Sequence, residues 1–355
     1  MKITRIDCFS QDLPLTRPYR IAFREVSDVR MQFIEIHTDS DLIGFGCASP
    51  EDHVTGETRA ACEAALGPQE VDWLMGCEPL ELSRLCRTLA SKMSSTPAAR
   101  AAIDMALHDL VAQHLGKPLV ELLGRAHSSL PTSITIGIKD VDETLTEARE
   151  YLDRGFKILK VKLGHSLDAD LERLVRLREV LDSQVIIRVD PNQGYSAHEV
   201  EVFVAKTSGL NVEFLEQPMA ASDIEAMRAL PEAVRDRLAA DESLLNETDA
   251  LSLLTPPRAC GIFNIKLMKC GGIWPAQRIA TLADIAGLEL MWGCMDESII
   301  SISAALHVAL ASPATRYLDL DGSLDLASDR VSGGFVLEDG MLSTLDVPGL
   351  GVCAL

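Results

Sequence analysis

The stretch Ile158-Leu159-Lys160-Val161-Lys162-Leu163-Gly164 decides how the rest of the chain is read. It has the form of a short buried strand, apolar residues interleaved with two lysines and closed by a glycine. Side chains two apart on a strand share a face, so Lys160 and Lys162 emerge side by side. Lysine is rarely buried without a partner or a task. Two on one inward face repel, which lowers the pKa of at least one and suits it to abstract a proton. Taken alone, the stretch also fits an edge strand with two solvated lysines; its surroundings decide between the two.

Working outward, short strand-like runs recur at 132–138, 158–163, 185–189, 212–215, 238–240, 262–265, 288–292 and 316–318. Helical stretches such as 143–152, 168–181 and 275–286 separate them. Eight βα-like units predict a parallel (β/α) barrel. Ahead of it, residues 2–10 and 30–38 alternate like strands, and Asp39-Ser40-Asp41 reads as a turn into a third strand at 42–47. Helical periodicity follows at 55–66, at 80–93, and after Thr96 as N-cap, with Pro97 in the first turn and Gly116 as the stop. In that third helix Ile103, Ala106, Leu107, Leu110 and Val111 mark one apolar face. Strands followed by helices give a small α+β domain ending near Gly124. The tail, 323–355, carries a hairpin turn at Glu338-Asp339-Gly340 and is expected to pack back onto the first domain. The expected division is therefore 1–125, 126–322 and 323–355.

With 47% hydrophobic and 24% charged residues over 355 positions, the chain has enough apolar material for a sizeable core. A formal charge of −20 argues against a phosphate-backbone partner, so no nucleic acid is expected. The nine cysteines include no CxxC pair, which points to reduced thiols in a cytoplasmic protein. No basic-then-apolar leader opens the chain and no apolar run reaches the length of a membrane span, so no membrane is expected.

The barrel reading places polar residues where each strand ends: Lys160 and Lys162, Asp190 and Asn192, Glu216, Asp241 and Glu242, Asn264 and Lys266, Asp296, then Asp319 and Asp321. That rim is the active-site face of such barrels. Singly, each has a plain alternative: Asp190-Pro191 can start a turn, and Asp241-Glu242 can cap a helix. Asp190, Glu216 and Asp241 end three successive strands; carboxylates so gathered must be neutralised, and hard oxygen ligands without histidine favour one Mg²⁺. None of the eight histidines shows metal-ligand spacing. In an eight-stranded ring the second and sixth strands oppose each other, so Lys162 and Lys266 reach a central carbon from its two faces. A proton removed on one side and returned on the other inverts that carbon. The metal and Lys160 would stabilise the enediolate of a bound carboxylate. Asp319-x-Asp321, on the eighth strand opposite the fourth, suits an ammonium group held far from that carboxylate. A free amino acid has the two groups too close together; a dipeptide spans the distance. The alternative for Asp319-Leu320-Asp321-Gly322 is an Asp-rich turn.

These residues resemble the enolase superfamily, its muconate-lactonising subgroup, and within it the dipeptide epimerases. The resemblance covers nearly the whole chain. It rests on Val54-Thr55-Gly56-Glu57-Thr58, the Asp104–Gly124 segment, Lys160-x-Lys162, Asp190-x-Asn192, Glu216-Gln217-Pro218, Ala240-Asp241-Glu242-Ser243 and Asn264-Ile265-Lys266-Leu267-Met268-Lys269-x-Gly271-Gly272. It implies a modified TIM barrel, (β/α)7β, with an N-terminal α+β capping domain. It also implies Mg²⁺ on Asp190, Glu216 and Asp241, acid/base roles for Lys162 and Lys266, the substrate carboxylate beside Lys160, and its α-ammonium on Asp319 and Asp321. Thr135 falls where relatives contact substrate, and Lys269, just past the strand end, reads as structural. Mg²⁺-assisted enediolate chemistry with a Lys or His base is general to this superfamily.

Specificity in such enzymes lies in loops of the first domain and the end of the seventh strand. Here Asp296 and Glu51 make those loops acidic, which favours Lys- or Arg-containing dipeptides. Arg24 pulls the other way, toward an acidic side chain as in an L-Ala-D/L-Glu-type epimerase. The plain alternatives are a helix N-cap for Asp296 and a solvated loop for Glu51. o-Succinylbenzoate synthase and muconate cycloisomerase share the lysines and metal but leave Asp319 and Asp321 unexplained. A Schiff-base aldolase or a non-catalytic ligand-binding barrel are readings from other classes. A homo-oligomer is the expected assembly.

Overall fold

The computed structural model describes the backbone of every residue except Ala22, Phe23 and His165, and every side chain except those of 18–26 and His165. An antiparallel sheet opens the chain, with β1 (Ile3–Ile21), β2 (Arg24–Thr38) and β3 (Ile43–Ala48). The alternation that predicts strands at 2–10 and 30–38 fades further along, yet pairing continues. β1 and β2 run in register from Arg5 opposite His37 to Pro14 opposite Asp28, then resume after a shift with Tyr19 opposite Val26. Main-chain hydrogen bonds hold this arm without apolar periodicity, so pattern reading undercounts its length. Arg24 begins β2; its side chain, expected at the substrate, lies outside the described residues.

The helix expected over 55–66 is two, Asp52–Thr55 and Arg59–Ala65. Gly56 breaks it at a left-handed φ of 69°, and Thr58 starts the second by accepting from Ala61 N at 3.2 Å. The third expected helix spans Pro97–His114 and is buried on all sides rather than one. It lies between the first sheet and the barrel, so its alanines pack as tightly as its leucines. A Cβ on Gly44 of β3 would sit 2.2 Å from the Ala106 carbonyl oxygen, and one on Gly46 1.9 Å from that of Ala102. Thr96 occupies the N-cap position without making the side-chain bond. The Glu57 carboxylate replaces it, accepting from Ala98 N at 2.6 Å and Ala99 N at 3.4 Å.

After the short β4 (Leu130–Pro131) come the barrel strands β5 (Ile134–Ile136), β6 (Ile158–Lys162), β7 (Ile186–Asp190), β8 (Val212–Glu216), β9 (Leu238–Ala240), β10 (Ile262–Ile265), β11 (Glu289–Gly293) and β12 (Thr315–Asp319). They form one eight-stranded sheet, and every adjacent pair is parallel. A parallel bridge between Thr132 and Leu318, with Ser133 N on Leu318 O at 3.0 Å, closes the ring. Helices follow β5 through β11, whereas β12 leads into the 3-10 turn Gly322–Asp325. This is the expected (β/α)7β arrangement. Strands buried on both faces read as apolar runs bounded by polar residues, and β9 and β10 have the bounds read from sequence.

In the tail, β13 (Val331–Gly333) pairs with β16 (Val352–Ala354), and β14 (Phe335–Glu338) turns back into β15 (Met341–Thr344), which pairs with β4. The hairpin turn is Asp339-Gly340, both at positive φ, as expected. The Leu350 peptide is held at both ends. Its N–H donates to Asp109 Oδ1 at 2.8 Å, and its oxygen accepts from His307 Nε2 at 3.4 Å. Among the described residues, no helix is long and apolar enough to cross a membrane.

Candidate active site

The period-two geometry of β6 aims Lys160 and Lys162 into the ring at different depths. Lys160, with 3% of its side chain exposed, puts Nζ 2.7 Å from Glu216 Oε2, 2.7 Å from Asp319 Oδ2 and 3.4 Å from Asp190 Oδ2. Lys162 lies nearer the mouth, 29% exposed, with Nζ 2.5 Å from Asp190 Oδ2. The two lysines were expected to depress one another. Burial does press the Lys160 ammonium down, but Asp319, Glu216 and Asp190 outweigh it and hold its pKa well above the ordinary lysine value. Carboxylates, not the neighbouring lysine, set its state.

Asp190 and Glu216 close β7 and β8, and Asp241 follows β9 directly. After Asp190 the chain turns through Asn192 and Gln193, both left-handed, and Asn192 N donates to Asp190 Oδ1 at 2.9 Å. After Glu216, Gln217 links two strand ends: its Oε1 accepts from Asp241 N at 2.9 Å and from Ser243 N and Oγ at 3.2 and 2.8 Å. Asn264 of β10 donates to Glu216 Oε1 at 2.9 Å. Lys266, one residue beyond β10, brings Nζ to 2.7 Å from Asp241 Oδ2. Lys269, one helical turn on, reaches Asp241 Oδ1, the Asp241 carbonyl oxygen at 2.7 Å and that of Asn264 at 3.1 Å.

This cluster is buried and mutually charged. Burial and Asp190 push the Glu216 carboxyl up to about 8. Burial would likewise raise Asp190 and Asp241, yet Lys162 and Lys160 hold the first low, and Lys266 and Lys269 the second. The Lys266 ammonium, which burial alone would lower, is raised by Asp241 and Glu216. Glu216 Oε2 is buried, and Lys160 Nζ faces it as an ion pair at 2.7 Å. Glu242 Oε2 is buried and unpartnered. Carboxylate oxygens from three adjacent strand ends, Glu216 repelled by Asp190, form a set that a hard divalent cation fits.

Across the ring, Asp319 Oδ2 accepts from Lys160 and Oδ1 from Ser133 Oγ at 2.7 Å. Asp321 Oδ2 accepts from Thr135 N at 2.7 Å, while Oδ1 faces Cys294 Sγ at 3.9 Å. Burial and Asp319 raise Asp321 to about 7. Asp296 does not cap the following helix: Ser298 does, accepting from Ile300 N at 3.2 Å. The Asp296 carbonyl oxygen instead accepts from Ser49 Oγ at 2.9 Å, so the loop carrying the half-buried Glu51 lies against the barrel rim.

Lys160, Lys162, Asp190, Glu216, Asp241, Lys266 and Asp319 thus join one contact network, with Thr135 and Asp321 paired beside it. Asp296 and Glu51 flank Ser49 at the rim. Gln217, Ser133 and Cys294 carry no signal of a role in the sequence, and Lys269, read there as structural, grips a residue of the site. The three-residue spacing of Lys266 and Lys269 across a helical turn was the available signal that both face Asp241.

Comparison with known proteins gives the following. Residues 4–124 match the family described as mandelate racemase / muconate lactonizing enzyme, N-terminal domain, and residues 143–354 match that described as enolase C-terminal domain-like. The chain is 60% identical over 352 residues to the L-Lys-D/L-Arg epimerase of Methylococcus capsulatus, covering 99% of each. To the L-Ala-D/L-Glu epimerase of Clostridium acetobutylicum it is 34% identical over 342 residues, covering 96% of this chain and 95% of that one. Its fold matches the crystal structure of a dipeptide epimerase from Methylococcus capsulatus complexed with Mg and the dipeptide L-Arg-D-Lys. That match has a TM-score of 0.97, 60% identity and 99% coverage of both chains.

Proposed function

The chain belongs to the mandelate racemase / muconate lactonizing enzyme family of the enolase superfamily, and from that premise we propose that it epimerises dipeptides at the α-carbon of the C-terminal residue, preferring cationic ones. One observation carries the reading: Lys162 and Lys266 end strands four apart in an eight-membered ring, each resting on a different carboxylate of one buried trio.

Asp190, Glu216 and Asp241 would hold one Mg²⁺. When bound, the ion polarises the substrate carboxylate and so acidifies the adjacent C–H. Lys160, deep among acids that favour its ammonium form, faces the same carboxylate and balances the enediolate charge. One of Lys162 and Lys266, entering as the neutral amine, accepts the α-proton; the other, entering as ammonium, returns a proton to the opposite face. Reversing those states runs the reaction from the other epimer. Asp319 and Asp321 receive the α-ammonium beside Thr135. Asp296 and Glu51 draw a cationic side chain toward the rim.

The test incubates the Mg²⁺-loaded protein with L-Lys-L-Arg in D₂O, read by mass spectrometry and chiral chromatography. One deuterium at the arginine α-carbon and both epimers are expected, with L-Ala-L-Glu at least ~10²-fold slower. No label in any dipeptide would leave a binding barrel as the reading, and faster turnover of L-Ala-L-Glu would reverse the charge preference.

A further inference from the structure

A buried lysine that the reaction does not use is gripping a residue that it does. Lys269 is 2% exposed, and its ammonium is spread over three acceptors: Asp241 Oδ1, the Asp241 carbonyl oxygen at 2.7 Å and the Asn264 carbonyl oxygen at 3.1 Å. The opposite oxygen of the same carboxylate, Oδ2, is held by Lys266 at 2.7 Å. Asp241 therefore sits between two ammonium groups with unlike surroundings. Lys266 has one hydrogen-bonded anchor, Asp241, and a four-carbon stem, so it can swing. Lys269 is fixed from three sides on the turn Leu267–Cys270, which Gly271 closes at a left-handed φ of 91°. A side chain at Gly271 would collide with Arg100, so that turn has little room to shift.

We infer that Lys269 is a positioning residue, the resident counter-ion of Asp241 that keeps this carboxylate in place and paired while Lys266 leaves it for the substrate carbon. A base that must leave a buried carboxylate for a substrate carbon withdraws one of that carboxylate's counter-charges and one of its orienting bonds at each stroke, and losing both beside a buried acid is costly. With Lys269 in place, Asp241 keeps Oδ1 neutralised and Oδ2 oriented throughout. At Lys162 the arrangement differs: its partner Asp190 offers one and the same oxygen, Oδ2, to Lys162 and, at 3.4 Å, to Lys160, which is drawn more closely to Glu216 and Asp319. The inference rests on the proposed two-base reaction for its kinetic half, and on Asp241 as a metal ligand for its binding half.

The two halves are tested separately in Lys269→Met, which keeps the length and removes the charge, with folding checked by circular dichroism. Calorimetric titration with Mg²⁺ alone is expected to show affinity weakened 10- to 100-fold, the usual effect of losing a partner that orients a metal ligand. In D₂O at saturating Mg²⁺, exchange from the epimer that depends on Lys266 (assigned with Lys266→Ala) should fall at least ~10-fold more than exchange from the epimer that depends on Lys162. Lys269→Arg, which restores a cation, should recover part of both. Unchanged Mg²⁺ affinity, or equal slowing of the two exchanges, overturns the inference. A wild-type protein that binds Mg²⁺ but exchanges neither epimer defeats the proposed reaction instead, and the titration still judges Lys269. If Lys269→Met does not fold, Lys269→Gln carries the same measurements.

Discussion

Two regions of this molecule bury acids, and they satisfy them in opposite ways. Around the helix Pro97–His114, Glu57 accepts from the main-chain N–H of Ala98 and Ala99, Asp104 from that of Ile273 and Trp274, and Asp109 from that of Phe45 and Leu350. At the barrel mouth, Asp190, Glu216, Asp241 and Asp319 are met chiefly by lysine ammonium groups. Backbone donors are fixed by the fold and orient two segments permanently. Of the lysines, Lys162 and Lys266 have stems free to swing and, in the proposed reaction, trade protons. The first arrangement ties the sheet, the helix and the barrel together; the second leaves charge that can be rearranged during a reaction.

The contrast is sharpest where removal of a group should affect one property and spare the other. Lys266→Ala or Lys162→Ala should lower epimerisation by at least ~10³-fold, a loss typical of an acid/base residue, while the thermal midpoint shifts little. Steady-state rates followed by polarimetry, beside a calorimetric melt, check both. Chelation of divalent ions should likewise abolish turnover, with recovery on adding Mg²⁺. At the junction the effects invert. Asp104→Ala strips the acceptor from Ile273 N, the first residue of the helix Ile273–Ala286, and should cost about 1–3 kcal/mol in urea unfolding. Its kcat should stay within a few-fold of the parent. A kcat that collapses with Asp104 would show that the junction takes part in the chemistry and erase the distinction.

The smallest expected net effect is a pH dependence at Leu350, concealed in the parent because two contributions cancel. Burial lowers His307 from 6.5 to about 4, so its stabilising contribution is complete above 6.5 and is lost as pH falls toward 4. Burial raises Asp109 from 3.8 to about 6, so its contribution is complete below 3.8 and is lost as pH rises through 6. Each spans about 3 kcal/mol at ~1.4 kcal/mol per pKa unit, and between pH 4 and 6 they oppose. In Asp109→Asn, the melting temperature should fall more steeply than in the parent as pH drops from 6.5 to 4. In His307→Gln it should fall more steeply as pH rises from 4 to 6. Parallel curves in all three proteins would remove this account.

The same division marks what was readable in the chain. β9 and β10 were legible to the residue because buried parallel strands are apolar runs stopped by polar ends, and those polar ends are the site itself. The β1–β2 arm beyond Pro14 was not, since ladder hydrogen bonds leave no side-chain period behind. The helix Pro97–His114 looked one-faced because alanine registers weakly in a periodicity, although Ala102 and Ala106 touch β3 at Gly46 and Gly44. Glu57 capping a helix 41 residues away, and Lys269 turning back onto Asp241, depend on distances that only the folded chain supplies.

The ring seam has a consequence for how such an enzyme can change its diet. β5 and β12 meet through little main-chain pairing, and side chains do much of the stitching: Asp319 to Ser133 and Asp321 to the Thr135 amide, with Arg188 of β7 reaching the Leu318 carbonyl at 2.6 Å. The acids proposed to greet the peptide's amino end are therefore also rivets in the hoop. Swapping them for a new substrate would loosen the vessel along with its grip, whereas the Glu51 main chain bonds within its own loop, to Thr55. Diversification should accordingly start at the lip and reach the seam last.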